Sequence, residues 1–486
     1  MLAQEVYEIC RSDKSVSSEL AKDPQQPPRK IIHRLYLDKK AEDIPSNAVA
    51  EVGEKQNDLR KAYECGNWGP SRPSDLFLRI YHDALCTLKR HHLAGVVSPS
   101  LMGSCGVLPL TIVAPLPDLC RHVSNCIVRA EKEVFLGTNF WVFSDASTLV
   151  TNAFRELSRR AGERGTKVVV KIIYDRGNIR QLSDNRQRVT EKEYTGPKVK
   201  LPPPEDIPNI DLEIINYHRP MLGTFHAKFM IVDRRIALLQ SSNIQDNDNL
   251  EMMVQVEGPI VNSFYDMAII SWEKPFDPPL PMLESPAADA PPPTFSTQQT
   301  TQETDENENK PPPEHTTKDP HYDPDIILEA RRVNGTLEPR GNETRTEAVT
   351  RHLNTTLQPS TTGDAPESDQ DQRMKLYVLH QPHEPFPMAM VNREPWGALN
   401  HTSTYTPQNV AFLSAIQHAK RTVFIQTPNM NADPVLKEVL DAVRRGVIVT
   451  CYLCLGYNDH GELLPFQNGT NEMVANRLYG SDAAGE

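Results

Sequence analysis

The apolar positions of this chain follow two rhythms. Leu119 to Ala130 and Ala146 to Ala161 place apolar residues three and four apart, as one buried helical face requires, and Gly162 closes the second stretch. Glu133 to Trp141 reads as a strand, and the run Val168 to Tyr174, apolar except for Lys171, as a strand buried on both faces in a parallel sheet. Ile210 to Ile215 is a further strand. Phe229 to Val232 and Ile236 to Leu239 are short apolar runs joined at the polar Asp233-Arg234-Arg235, a hairpin signal. Met252 to Val256 adds a strand and Ser263 to Trp272 a closing helix, while upstream Ser74 is placed to cap a helix from Asp75 to about His91 with Leu76, Ile80 and Leu85 on its buried face. The expectation is an α/β domain over residues 74–274, a mixed β-sheet flanked by helices.

The flanks differ. Residues 1–73 are polar and irregular apart from Ile31 to Leu37, and read as an N-terminal extension. Leu93 to Pro117 is uncharged, yet Pro99, Pro109, Pro115 and Pro117 make it a loop or extended segment rather than a membrane span. Residues 275–384 change composition: twelve prolines fall between Pro286 and Pro366 among Thr, Gln, Asn and acidic residues. Such a stretch buries too little surface to offset ordering, which predicts a disordered linker interrupted by a short helix at Asp325 to Val333. Over residues 385–486 the first pattern returns: Ala411 to Lys420, the strand Arg421 to Asn429, the helix Asp433 to Arg445 and the buried strand Val447 to Leu455 repeat the order of the first half. The chain therefore reads as two repeated lobes, the second incomplete.

At 486 residues there is room for two or three domains. Of the net charge of -12, about -10 sits between Glu284 and Arg373 (18 acidic against 8 basic residues), so the remainder is near neutral and argues against a nucleic-acid partner. Cys451 and Cys454 have CxxC spacing but fall in an apolar strand run, where they point to opposite faces. Met1 to Cys10 contains Glu5 and Glu8 and no apolar core of signal-peptide length, so the Asn-x-Thr sequons at Asn334, Asn342, Asn354, Asn400 and Asn468 are expected to be unused. A cytoplasmic or peripheral-membrane location follows.

The chemistry concentrates in Thr224-Phe-His-Ala-Lys-Phe-Met-Ile-Val-Asp233. If this is strand, His226 and Lys228 share one face about 7 Å apart. An imidazole that titrates near neutrality can attack phosphorus or shuttle a proton, and a fixed cation beside it can hold phosphate oxygens. The string His226-x-Lys228-x4-Asp233, followed by Ser241-Ser242-Asn243 and Glu251, resembles the signature of the phospholipase D superfamily, with Gln240 standing where the family usually has Gly.

That resemblance implies metal-independent and cofactor-free phosphodiester chemistry on a phospholipid, through a phosphohistidine. His226 would be nucleophile or general acid, and Lys228 and Asn243 would bind phosphate oxygens with support from Ser241 or Ser242. Asp233, the third member of the catalytic motif, would fix the turn, and Glu251 would orient a histidine across the site. Alternatives within it are a cardiolipin-synthase-like transferase, a nuclease, or an inactive truncated homologue. Bilobal relatives carry a second motif. Counting 92 residues from Val134 to His226 puts its counterpart near position 515 from Val423, and no second His-x-Lys-x4-Asp occurs among the 486 residues. His383, His401 and His418 lack the partner lysine. A lysine near its ordinary pKa of about 10.4 is a poor leaving-group acid, so a dimer or a missing C-terminal half is expected to complete the site.

Overall fold

The computed structural model describes residues 2–37, 58–177, 179–220, 222–287, 294, 321–356, 374–397, 403–454, 456, 459–463 and 468–483. The N-terminal stretch expected to be irregular contains four short α-helices among its described residues: α1 (Gln4–Cys10), α2 (Val16–Lys22), α3 (Pro28–Ile32) and α4 (Leu59–Glu64). Ser15 and Ser18 cap α2 reciprocally, and Pro28 starts α3 where no N–H is needed. Each helix is too short to show a period. Val16, Leu20, Ile31 and Ile32 are nonetheless buried in a core with Phe264 and Trp272. The buried Asp266 carboxylate ties this region down by accepting from Ser17 N (2.7 Å) and Ser98 N (2.8 Å).

Helix α5 (Asp75–Cys86) is capped by Ser74, which accepts from Phe77 N at 3.2 Å, and ends earlier than expected. Its buried face carries Leu78, Tyr81 and Leu85, whereas Leu76 is exposed, because Leu78 and not Leu76 is in phase with Leu85. The uncharged stretch becomes the extended strand β1 (Gly103–Pro115). Its ladder shifts register between Val107 and Leu110, around Pro109, which has no N–H to donate.

The core then follows in order: α6 (Leu116–Val128), β2 (Glu133–Gly137), α7 (Asp145–Glu163), β3 (Val168–Tyr174), β4 (Arg186–Arg188), α8 (Glu191–Tyr194), β5 (Ile210–Tyr217), β6 (Phe229–Val232), β7 (Ile236–Gln240), β8 (Leu250–Glu257) and α9 (Ile260–Trp272). Strands β2, β3 and β5 pair in parallel, and β6, β7, β8 and β1 continue antiparallel from β2. Helices α6 and α7 cover one face, packing Leu119, Val123, Phe154 and Leu157 on Val134 and Val170. Helix α9 covers the other face, with Phe135 and Phe229 beneath it.

The expected disordered linker is partly folded. Helices α10 (Ile326–Gly335) and α11 (Arg345–Thr356) pack beside α6, and β9 (Tyr377–Leu379) and β10 (Phe386–Ala389) pair with β1. Residues 288–293, 295–320 and 357–373 lie outside the described residues. The short helix expected at Asp325 to Val333 is present as α10, and its Ile326, Ala330 and Val333 face joins the core instead of lying in a disordered stretch. Composition averaged over the stretch treated acids as solvated that are in fact paired. Glu329 meets His122 at 3.0 Å and Arg129 at 3.2 Å; burial pushes its carboxyl up, but these partners outweigh burial and hold it at about 2.

The C-terminal part contains α12 (Pro407–His418), β11 (Thr422–Thr427), α13 (Asp433–Arg444), β12 (Ile448–Leu453), α14 (Asp459–Glu462) and α15 (Asn471–Ala483). Strands β11 and β12 pair in parallel as a separate two-stranded sheet. The expected burial of β12 does not hold: Ile448 and Tyr452 are exposed, and Cys451 is half-buried while Cys454 is exposed. Helix α12 is fastened to α5 by Ser414 Oγ donating to Asp83 (2.7 Å), by His418 beside Asp83 (3.5 Å), and by Tyr405 Oη donating to the Cys86 carbonyl (3.1 Å). Among the described residues no helix is long and apolar enough to cross a membrane.

Candidate active site

Strand β6 lies between β2 and β7, and Gly137 pairs with Phe229, so the segment entering β6 emerges where β2 and β3 end. His226 and Lys228 occupy that segment just before the strand proper. Gln240 N donates to the Lys228 carbonyl at 3.1 Å, which anchors its backbone to the end of β7. Their side chains are closer than strand alternation predicts, because the long lysine stem folds back. Lys228 Nζ lies 3.2 Å from His226 Nδ1 and donates to the His226 carbonyl at 2.9 Å.

A residue that the sequence reading missed holds this segment. Asp175, buried at the end of β3, accepts from Phe225 N at 2.8 Å and pairs with His218 Nδ1 at 2.8 Å. Its only signal was a carboxylate closing an apolar run at the carboxyl end of a parallel strand, where such sheets place functional loops.

Asp233 is not brought to the pair. It sits at the other end of β6 with φ of +50°, and its carboxylate accepts from the amides of Glu131 (2.8 Å), Lys132 (2.8 Å) and Glu133 (2.9 Å). Its hydrogen bonds therefore go to the backbone at the start of β2. Ser241 Oγ donates to Glu251 and accepts from Met252 N at 2.8 Å. Glu251 also accepts from Asn247 at 3.1 Å, so its hydrogen bonds go to Ser241 and Asn247 rather than to His226. Asn243 Oδ1 accepts from Phe140 N at 3.4 Å, and the buried Ser242 hydroxyl has no hydrogen-bond partner among the described residues.

Burial sets the electrostatics. It pushes Lys228 down to about 8 against the opposing pull of Glu251. It also lowers His226, helped by the charges of Lys228 and of Arg393, a residue with no sequence motif around it. All three side chains line one groove of about 1780 Å³. Its walls are largely apolar, including Phe229, Phe264 and Met267 from the first half and Met390, Phe412 and Val435 from beyond the insert. Among the described residues no three His, Cys, Asp or Glu side chains group closely enough to hold a metal ion.

No family model matches the sequence, and no curated protein matches it. Solved structures similar to the chain include NucT from Helicobacter pylori, at 17% identity and a TM-score of 0.22, covering 35% of this chain and 100% of that one. A phosphatidylserine synthase from Haemophilus influenzae Rd KW20 is similar at 12% identity and a TM-score of 0.34, covering 72% of this chain and 63% of that one. The phospholipase D family member Nuc from Salmonella typhimurium is similar at 18% identity and a TM-score of 0.23, covering 35% of this chain and 96% of that one. The chain is a mixed sheet flanked by helices, similar in part to solved structures that include this phospholipase D family member.

Proposed function

We propose that the chain is a phospholipase D-like phosphodiesterase or phosphatidyltransferase that acts on phospholipid through a phosphohistidine. The observation that carries this reading is the 3.2 Å His226–Lys228 pair, placed in a large groove with apolar walls. With its pKa lowered, His226 is neutral at pH 7 and has a lone pair to give, while Lys228 stays mostly protonated below about 8. A phosphate oxygen would draw the Lys228 ammonium away from His226 Nδ1. The imidazole then forms a P–N bond as the P–O bond to the leaving alcohol breaks, and water or a second alcohol later takes the phosphoryl group from the histidine. The apolar walls favour a lipid diester over a nucleic acid, as does the lack of a large basic excess in the chain outside residues 284–373, which is near neutral.

The leaving oxygen needs a proton. Lys228 at about 8 is a better donor than an ordinary lysine, and a second imidazole would be better still. Phe412, Leu413 and Val435 line the groove, and none of them is a group that could donate that proton. We therefore infer that full activity needs a polypeptide carrying a second such motif, and that the chain alone turns over slowly. Membrane contact would be peripheral.

The test is turnover of phosphatidylcholine vesicles and of bis(p-nitrophenyl) phosphate, followed alongside thermal unfolding. His226→Ala should abolish turnover without loss of folding, EDTA should have no effect on the chemical step, and acid-labile phosphate should be trapped on His226. Full activity in a folded His226→Ala variant would sink the reading.

A further inference from the structure

The segment that follows β10 lies far in sequence from the His226 motif, yet it runs along the same groove. Its course is fastened on both sides of Arg393. Met390 N donates to the Met102 carbonyl and Gly397 N to the Leu222 carbonyl, each at 2.8 Å, and Gln408 N donates to the Asn392 carbonyl at 3.2 Å. The Arg219 guanidinium stacks 4.0 Å over the Trp396 ring. The strap also touches the backbone that leads into the motif. A Cβ added at Gly223 would lie 2.3 Å from the Pro395 carbonyl oxygen and 2.5 Å from Trp396 Cα, so glycine at this position admits the strap only three residues before His226.

Arg393 is exposed on this strap and lines the groove with His226 and Lys228. No side-chain hydrogen bond or ion pair engages its guanidinium among the described residues, and its charge reaches the His226 ring. A fastened backbone that presents an unengaged guanidinium beside an imidazole and an ammonium is suited to a tetrahedral oxyanion, which offers more oxygens than one lysine can satisfy.

We propose that residues 390–397 are a built part of the site and that Arg393 is a phosphate-binding residue, taking a phosphoryl oxygen of the diester whose phosphorus faces His226. This rests on the phosphodiester reading of the groove and extends it: the anion site is assembled from both sides of the insert, with Lys228 supplied by the first half and Arg393 by the strap.

Inorganic phosphate is the probe, titrated calorimetrically and used as an inhibitor of bis(p-nitrophenyl) phosphate hydrolysis. Arg393→Ala should weaken phosphate about tenfold and raise KM by a similar factor while kcat changes little, as expected for one lost charge-assisted hydrogen bond. Arg393→Lys should recover part of the loss. Gly223→Ala, which pushes the strap away, should weaken phosphate in the same direction, and removing the Arg393 charge should raise the His226 titration midpoint read by NMR. Wild-type phosphate affinity in Arg393→Ala, or no phosphate binding by the wild-type chain, would overturn the proposal. Turnover retained in His226→Ala would instead overturn the phosphohistidine reading, and the calorimetric arm would still decide the role of Arg393.

Discussion

Phe135 and Phe424 occupy the same place in two stretches that share Val, Phe and Thr, Glu133-Val-Phe-Leu-Gly-Thr138 and Thr422-Val-Phe-Ile-Gln-Thr427. Each follows a helix and pairs in parallel with the strand beyond the next helix. Yet Phe135 is 1% exposed and Phe424 is 63% exposed. The neighbours make the difference. Phe135 stacks on Phe229 of β6 at 6.0 Å and meets Trp272 of α9 edge-on at 5.6 Å, whereas Phe424 has Tyr452 beside it on an open sheet face. Gly137 records the same contrast, because a Cβ there would strike the Phe229 ring at 2.5 Å, while the matching Gln426 is exposed. A strand's own residues set its pairing, and its burial depends on what is laid against it.

The comparison breaks first at chemistry. If only the covered unit carries the reaction, His226→Ala should lower any measured turnover by about a thousandfold or more with an unchanged unfolding midpoint. Activity that survives would move the chemistry elsewhere. Next comes packing: Phe135→Ala should cost about 3–5 kcal/mol in denaturant unfolding, because it leaves a cavity between Phe229 and Trp272. A loss below about 1 kcal/mol would mean that the aromatic cluster is not a fixed core.

The pH dependence should sharpen the contrast further. Lys228 is held at about 8, below its ordinary value, so its charged form costs stability below that pH and the cost is relieved as pH rises from about 8 toward 10.5. Activity should run the other way, falling about tenfold per pH unit above about 8 as the ammonium is lost. Lys228→Arg should remove that limb from the kcat/KM profile, since a guanidinium stays protonated. A profile flat to pH 10 in the unmodified protein would show that Lys228 is not buried as described. The smallest effect belongs to the open sheet: Phe424→Ala should change stability by less than about 0.5 kcal/mol. A loss as large as that at Phe135 would mean that the face is covered in solution.

What the sequence alone determined is the set of elements whose period exceeds local noise. These are α6, β2, α7, β3, β5, the β6–β7 hairpin, β8 and α9, together with the order helix, strand, helix, strand in both halves. It also singled out His226 and Lys228, because residue type and spacing are written locally. Other features depend on long-range contact. The five- to seven-residue helices α1 to α4 carry too few apolar positions to announce a face, and α10 is legible as a short helix but its docking depends on His122 and Arg129 of α6 taking up Glu329. Asp233, placed in the motif by spacing, turns its carboxylate to the amides at the start of β2. Asp175 and Arg393 join the site only because the end of β3 and the strap after β10 are folded beside a segment 50 residues from one and 167 from the other (225 − 175 and 393 − 226). Local pattern encodes which backbone hydrogen bonds a segment can make with itself or an adjacent strand. Burial, and with it the pKa values of His226 and Lys228, is decided by surfaces brought from elsewhere in the chain.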